Sequence, residues 1–162
     1  LLKKRGITKN IGISIYDPKD FDFALNIFKP DVVQFPLNVF DQRFLDKKFL
    51  SKIKKNKIKS QARSIFLQGL ILNYKNKSLF TKKKKLRKYI KKFDDWCKKN
   101  NLTINEASIL FIKNKKFLDY LIIGTEDVNQ IKQNLAILKK NKQINLRQFA
   151  LKSKKLIDPR LW

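Results

Sequence analysis

Residues 31–38 read DVVQFPLN, and the fold turns on how that stretch is read. Val32 and Val33 are adjacent β-branched residues, which suits a strand buried on both faces of a parallel sheet. Gln34 interrupts the apolar run, and Asn38 ends it. Three other segments have the same form: 11–16 (IGISIY), 59–69 (KSQARSIFLQG) and 119–125 (DYLIIGT). Each ends in small or polar residues, and each precedes a helix-like stretch. Repeated strand–helix order predicts parallel strands with helices on the outside. In a (β/α)8 barrel the C-terminal strand ends carry the chemistry. Ser14, Gln34, Arg63, Ser64, Gly124 and Thr125 are therefore the first candidate site residues. Four such units make half a barrel.

The helices between these segments have readable starts. Asp17 is a good N-cap, and Pro18 falls at the first helical position, where its missing N–H costs nothing. Phe21, Leu25 and Phe28 follow at helical spacing, and Pro30 stops the run. Asp41 is expected to open a second helix with Phe44, Leu45, Phe49 and Ile53 inside and its lysines in solvent. Residues 67–81 read as an irregular loop, and the charge run 82–85 leads into a helix carrying Leu86, Ile90 and Phe93. That run sits badly against a positive helix start. Thr103 and Glu106 form a capping-box pair ahead of Ala107, Leu110 and Phe111. Val128, Ile131, Leu135 and Leu138 mark a last barrel helix. Residues 141–162 read as a C-terminal helix and tail of one domain, 1–162. The third unit is the longest, and long insertions after a strand end build or cover sites.

Composition narrows the class. The chain has 162 residues, 43% of them hydrophobic, which is enough for a core. It contains 13 Phe and no Met, so it reads as a segment of a longer protein. Its formal charge is +26, with 39 Lys and Arg against 13 Asp and Glu. Such a balance suits nucleic acid or an anionic membrane surface. Lys, Asn, Ile and Phe are all abundant, however, and all have AT-rich codons. Lys greatly outnumbers Arg, the residue favoured for bidentate phosphate and base contacts. The lysines are also spread over every helix, so biased composition outweighs a nucleic-acid role. There is no His, which removes the commonest metal ligand and general base. A single cysteine, Cys97, cannot form an internal disulfide, which points to a reducing cytoplasm. No apolar run reaches membrane-span length.

The candidate residues each have two readings. Gly124-Thr125 opens a helix whose N–H groups and dipole suit a phosphate, yet glycine is also common there for backbone reasons. Asp127 reads as an N-cap that would compete with an anion. Gln34 at a strand end can match a carboxamide such as that of nicotinamide, or bond a neighbouring loop. Arg63 can stack on a ring or bind phosphate beside Ser64, or pair with an acid. Tyr16 and Trp162 can line a pocket or fill the core. Asp94 and Asp95 diverge on a helix and are expected at the surface.

Taken in order, these segments resemble the C-terminal half of an aldo-keto reductase. IGISIY resembles the family's fifth barrel strand, and DVVQFPLNVFDQR the sixth with its Gln. ARSIFLQGLIL resembles the seventh in a bacterial branch, and IIGTEDVNQIKQN the eighth with its helix. IDPRLW resembles that branch's tail. The match spans nearly the whole chain. It implies an α/β fold, four parallel strands of a (β/α)8 TIM barrel, in a protein that reduces aldehydes and ketones with NADPH.

By the same resemblance, Ser14 and Gln34 would hold the nicotinamide carboxamide. Arg63 stands where many members stack a Tyr, and Ser64 would meet the pyrophosphate. Gly124, Thr125 and Gln130 would face the adenosine phosphate, with Gln133 and Asn134 near the adenine. There are departures. Ile15 stands where many members carry Asn. Gly124 and Gln130 replace residues that are often basic, with Glu126 nearby, which leaves NADH open beside NADPH. The family's catalytic Asp, Tyr, Lys and His lie on the first four strands, so their half of the barrel is the implied partner. A nucleic-acid module and a non-catalytic reductase-like subunit are the rival readings. A half barrel would also leave two open sheet edges and a bare core face, and so be poorly cooperative or self-associating.

Overall fold

A computed structural model describes residues 2–162. It contains one parallel sheet of four strands in sequence order: β1 (Gly12–Ser14), β2 (Val32–Pro36), β3 (Lys59–Arg63) and β4 (Tyr120–Leu121). Helices α1 (Pro18–Ile27) and α2 (Lys47–Asn56) fill the first two crossovers. The third holds α3 (Lys84–Lys99) and α4 (Ile104–Lys113). After β4 come α5 (Val128–Lys139) and a tail containing the short α6 (Lys154–Ile157). No helix among the described residues is long and apolar enough to cross a membrane.

The strands are shorter than the segments that announced them. Alternation along β2 shows why they sit as they do: Val33 and Phe35 are buried against helices, while Val32 and Gln34 face the other side half-covered. Gly12 is required where β1 meets β2, since a Cβ there would lie 2.9 Å from the carbonyl oxygen of Val32. Beneath the sheet, Phe35 stacks on Phe44 at 4.7 Å between ring centroids, and Phe49 meets both edge-on at 5.0 and 5.3 Å. Each such fully buried ring contributes about 2–3 kcal/mol. A second aromatic set ties the tail to α3, where Phe149 packs 5.1 Å from Phe93.

Helix starts follow the sequence where capping is local. Asp17 and Asp20 form a capping box ahead of α1, and Thr103 and Glu106 form one ahead of α4. Three expectations are corrected. Asp41 does not open α2: its buried carboxylate pairs with Arg43, a one-turn 3-10 segment follows, and Asp46 caps the helix. Asp94 is buried, not at the surface, because Tyr74 Oη donates to it at 2.6 Å and Lys98 Nζ lies 2.7 Å away. Phe28 ends α1 in an extended conformation and is partly exposed. On α5 the inward residues are Asn134 and Ile137, whereas Val128, Ile131 and Leu135 face outward. That stripe lacks a neighbour among the described elements.

The helices at the two ends of the sheet, α1 and α5, therefore expose apolar side chains. Phe23 and Ile27 of α1 are 69% and 67% exposed beside the β1 edge, and Val128 and Leu135 are 63% and 55% exposed beyond β4. Cys97 lies fully buried among α3's inward residues, and burial pushes its thiol up to about 12.

Candidate functional site

Parallel register aligns side chains across the sheet. Ser14 pairs with Gln34, Gln34 with Gln61, and Gln61 with Tyr120. Residues in register on parallel strands share a face, so these four form one polar row across the half-covered side of the sheet. Gln34 Nε2 donates to Gln61 Oε1 at 3.1 Å. That bond fixes the Gln34 amide and leaves its own oxygen as an open acceptor. The partner is thus another side chain of the row, not a loop backbone. Ile15, between Ser14 and Tyr16, turns to the opposite face and is buried in the core.

One step further along, Arg63 closes β3. Its guanidinium stacks on the Tyr16 ring at 4.2 Å, and Nη1 donates to Ser64 Oγ at 3.2 Å. The same ring receives Arg160 from the tail at 4.1 Å. Asp158 holds Arg160 through two bonds of 3.0 and 2.7 Å. Hydrogen bonding from Arg160 keeps the Asp158 carboxyl below its ordinary range, although burial opposes this. Arg43, paired with Asp41, also reaches to 3.6 Å from Asp158, and Lys154 pairs with Asp17. The tail is thereby fastened by charge across the C-terminal ends of β1 and β2.

The loop after β3 has an uncommon backbone. Ser64, Leu67 and Gln68 are left-handed, with φ of 57°, 49° and 56°, and Gly69 follows at 76°. For residues with a Cβ this costs about 1 kcal/mol or more each. Asn38 offsets some of it: fully buried, it donates from Nδ2 to the Ser64 carbonyl at 3.2 Å and accepts from the amides of Phe40 and Asp41. Three successive positive-φ residues, Leu67 to Gly69, turn the chain sharply just beyond the end of β3.

This loop faces the start of α5 across a cavity of about 740 Å³. The cavity brings together Arg63, Ser64, Gly124, Thr125, Gln130, Gln133 and Asn134. Ser14 and Gln34 are outside its lining, on the polar row. Gly124 has ordinary φ and open space around its Cβ position, so its glycine is not demanded by the backbone. Gln130 turns its side chain inward, and its Oε1 accepts the Glu126 amide at 3.1 Å. Asp127 caps α5 by accepting the Gln130 amide at 2.9 Å. Asn134 is buried and accepts from Asn105 Nδ2 at 3.3 Å.

Gln61, Asn38, Asn105 and Arg160 did not emerge from the sequence as site residues. Gln61 had a signal, since it sits two positions before Arg63 and therefore on the same face. Arg160 and Asn105 approach from remote segments, and no local spacing announces that. Among the described residues, no group of three or more His, Cys, Asp or Glu is placed to hold a metal ion.

Comparisons with known proteins give the family and the fold. The model for the Aldo/keto reductase family matches residues 1–151, and the chain belongs to that family. Solved structures share the fold at low identity. The aldo-keto reductase AKR11C1 from Bacillus halodurans aligns in its apo form with a TM-score of 0.68 at 15% identity, over 91% of this chain and 52% of that one. Its holo form gives 0.63 at 16% identity, over 94% and 54%. The glycerol dehydrogenase AKR11B4 from Gluconobacter oxydans gives 0.52 at 17% identity, over 85% and 51%. The chain spans about half the length of these solved relatives. A search of curated protein sequences gave no match.

Proposed function

We propose that this chain is the C-terminal, cofactor-binding half of an NAD(P)H-dependent aldo-keto reductase barrel, strands five to eight. In the whole protein the substrate is a small aldehyde or ketone. The observation that carries the reading is the cavity at the C-terminal strand ends. It gathers seven expected positions, from the end of β3, the turn after β4 and α5, around one space of about 740 Å³. When bound, the nicotinamide supplies a hydride from C4 to the carbonyl carbon.

The chain's own residues bind and orient. The open oxygen of Gln34, held by Gln61, accepts from the nicotinamide carboxamide, and Ser14 in the same row supplies a hydroxyl. Arg63, stacked on Tyr16, offers a flat cation beside the nicotinamide ring. Ser64 and the left-handed loop receive the pyrophosphate. Gly124, Thr125 and Gln130 face the adenosine phosphate, and Gln133 and Asn134 lie by the adenine. These are positioning and electrostatic roles. Proton donation falls to the N-terminal half, which would also cover the exposed apolar edges of α1 and α5.

The test is to assay the 162-residue chain with carbonyl substrates and to measure dinucleotide binding in parallel. The expected outcome is binding without turnover. Carbonyl reduction by this chain alone would overturn the division of labour between the two halves, and absence of any nicotinamide nucleotide binding would overturn the cofactor assignment.

A further inference from the structure

The dinucleotide placement proposed above leaves one question of chemistry, namely which of the two nicotinamide dinucleotides the α5 end accepts. With the carboxamide at the Gln34 row, the adenosine ribose lies by the start of α5. The two dinucleotides differ only at its 2′ position, a hydroxyl in NADH and a phosphate dianion in NADPH.

The charge around that position runs opposite to the rest of the molecule. The chain carries 39 Lys and Arg in 162 residues, so about four cations would be expected by composition among the cavity's sixteen lining residues. There is one, Arg63, and it sits at the β3 end. The α5 end presents Gly124, Thr125, Glu126, Gln130, Gln133 and Asn134, none of them cationic. Two amides at this end, one of them in the first turn of the helix, are engaged by the chain's own acceptors. Gln130 Oε1 takes the Glu126 amide, and the Asp127 carboxylate takes the Gln130 amide. The partial positive charge that would attract an anion is thus partly met by the Asp127 cap, while Glu126 lines the cavity itself.

A 2′-phosphate would meet the Glu126 carboxylate and no cation among the lining residues at that end. A 2′-hydroxyl donates one hydrogen bond, which a carboxylate accepts; acidic side chains serve ribose 2′-hydroxyls in this way in other dinucleotide sites, where arginine serves the phosphate. We infer that the site selects the dinucleotide without the 2′-phosphate, NADH over NADPH, and that Glu126 is the residue that decides it.

Net charge makes the test sharp. A protein of charge +26 attracts the more anionic NADPH non-specifically, so a preference for NADH runs against the field of the molecule. Binding of NADH and NADPH to the 162-residue chain would be measured at about 0.15 M salt, where exposed charges are largely screened beyond some 8 Å. The adenosine end would be measured by itself with 5′-ADP and 2′,5′-ADP. The expected result is at least a tenfold lower Kd for NADH, with the same order in the ADP pair. Glu126→Arg should reverse it, raising NADPH affinity tenfold or more while its circular dichroism stays that of the parent. Equal affinities, tighter NADPH, or tighter 2′,5′-ADP in the parent overturns this inference and leaves the cofactor reading standing. Discrimination between the ADP probes without any response to nicotinamide mononucleotide sustains it while removing the nicotinamide end of that reading. No binding by any probe overturns both.

Discussion

Glu106 shows how much a single side chain can be asked to do. It closes the capping box of α4 by accepting from the Thr103 amide at 2.7 Å, and it pairs with Lys140 just past the end of α5. The Lys140 bond, with the Thr103 amide behind it, holds its carboxyl at about 2 against an ordinary 4.5. A depressed carboxylate contributes stability that is complete above its unfolded-state pKa and lost as pH falls through the folded one. The window is therefore about pH 4.5 down to 2. Lys140 is half in water, so the contribution is discounted to about 1 kcal/mol. Glu106→Gln should melt lower at neutral pH and lose that dependence, which acid titration of thermal melts would read. An unchanged acid limb would remove Glu106 from the account.

Residues also set the limit of what the sequence disclosed. Asp17, Pro18, Thr103 and Glu106 were legible because capping is a bargain among neighbours. Asp41 and Asp94 were misread because each answers to a cation or hydroxyl whose approach depends on the fold. Gln61 was hidden in plain alternation, being visible only once Arg63 is placed on a face.

At the scale of elements, the order of strands and helices was readable, and their facing was less so. The second helix begins at Asp46 because two acids compete for the cap and Asp41 is taken by Arg43. The apolar periodicity of α5 announces the helix and an apolar face, not what stands opposite it. Here Asn134 and Ile137 meet α4, and the stripe one step round the helix is uncovered. The tail was legible only as a mixed pattern, since its attachments are charge pairs spaced far apart in sequence.

That attachment can be separated from helix capping. Asp17 caps α1 and also holds Lys154. Asp17→Asn keeps the capping oxygen and gives up the ion pair, whereas Asp17→Ala gives up both. The first change should speed tryptic cleavage near Lys154 with a melt within about 0.5 kcal/mol of the parent, because exposed pairs contribute little. The second should in addition cost about 1 kcal/mol for the lost cap. Identical proteolysis in all three proteins would show that the tail is held by Arg160, Asp158 and Phe149 without Lys154.

For the whole molecule, the dominant facts are two uncovered apolar edges and a charge of +26. These oppose each other. Apolar edges favour association of copies, and like charge resists it. Salt weakens the second and leaves the first. Sedimentation velocity should therefore show larger species as salt rises from about 0.05 to 0.5 M, the reverse of what an ion-pair interface would give. A monomer at every salt concentration would mean that the edges are not sticky, and would count against a missing half.

Cys97 gives the molecule a built-in clock. A thiol sealed in the core and held near 12 reacts with alkylating agents only when α3 lifts and solvent enters. As the chain's one cysteine, it yields a labelling rate with no competing signal. Measured against reagent concentration, that rate gives the frequency with which the packing around α3 breathes. The same protein, joined to whatever covers its edges, should show the clock slowed.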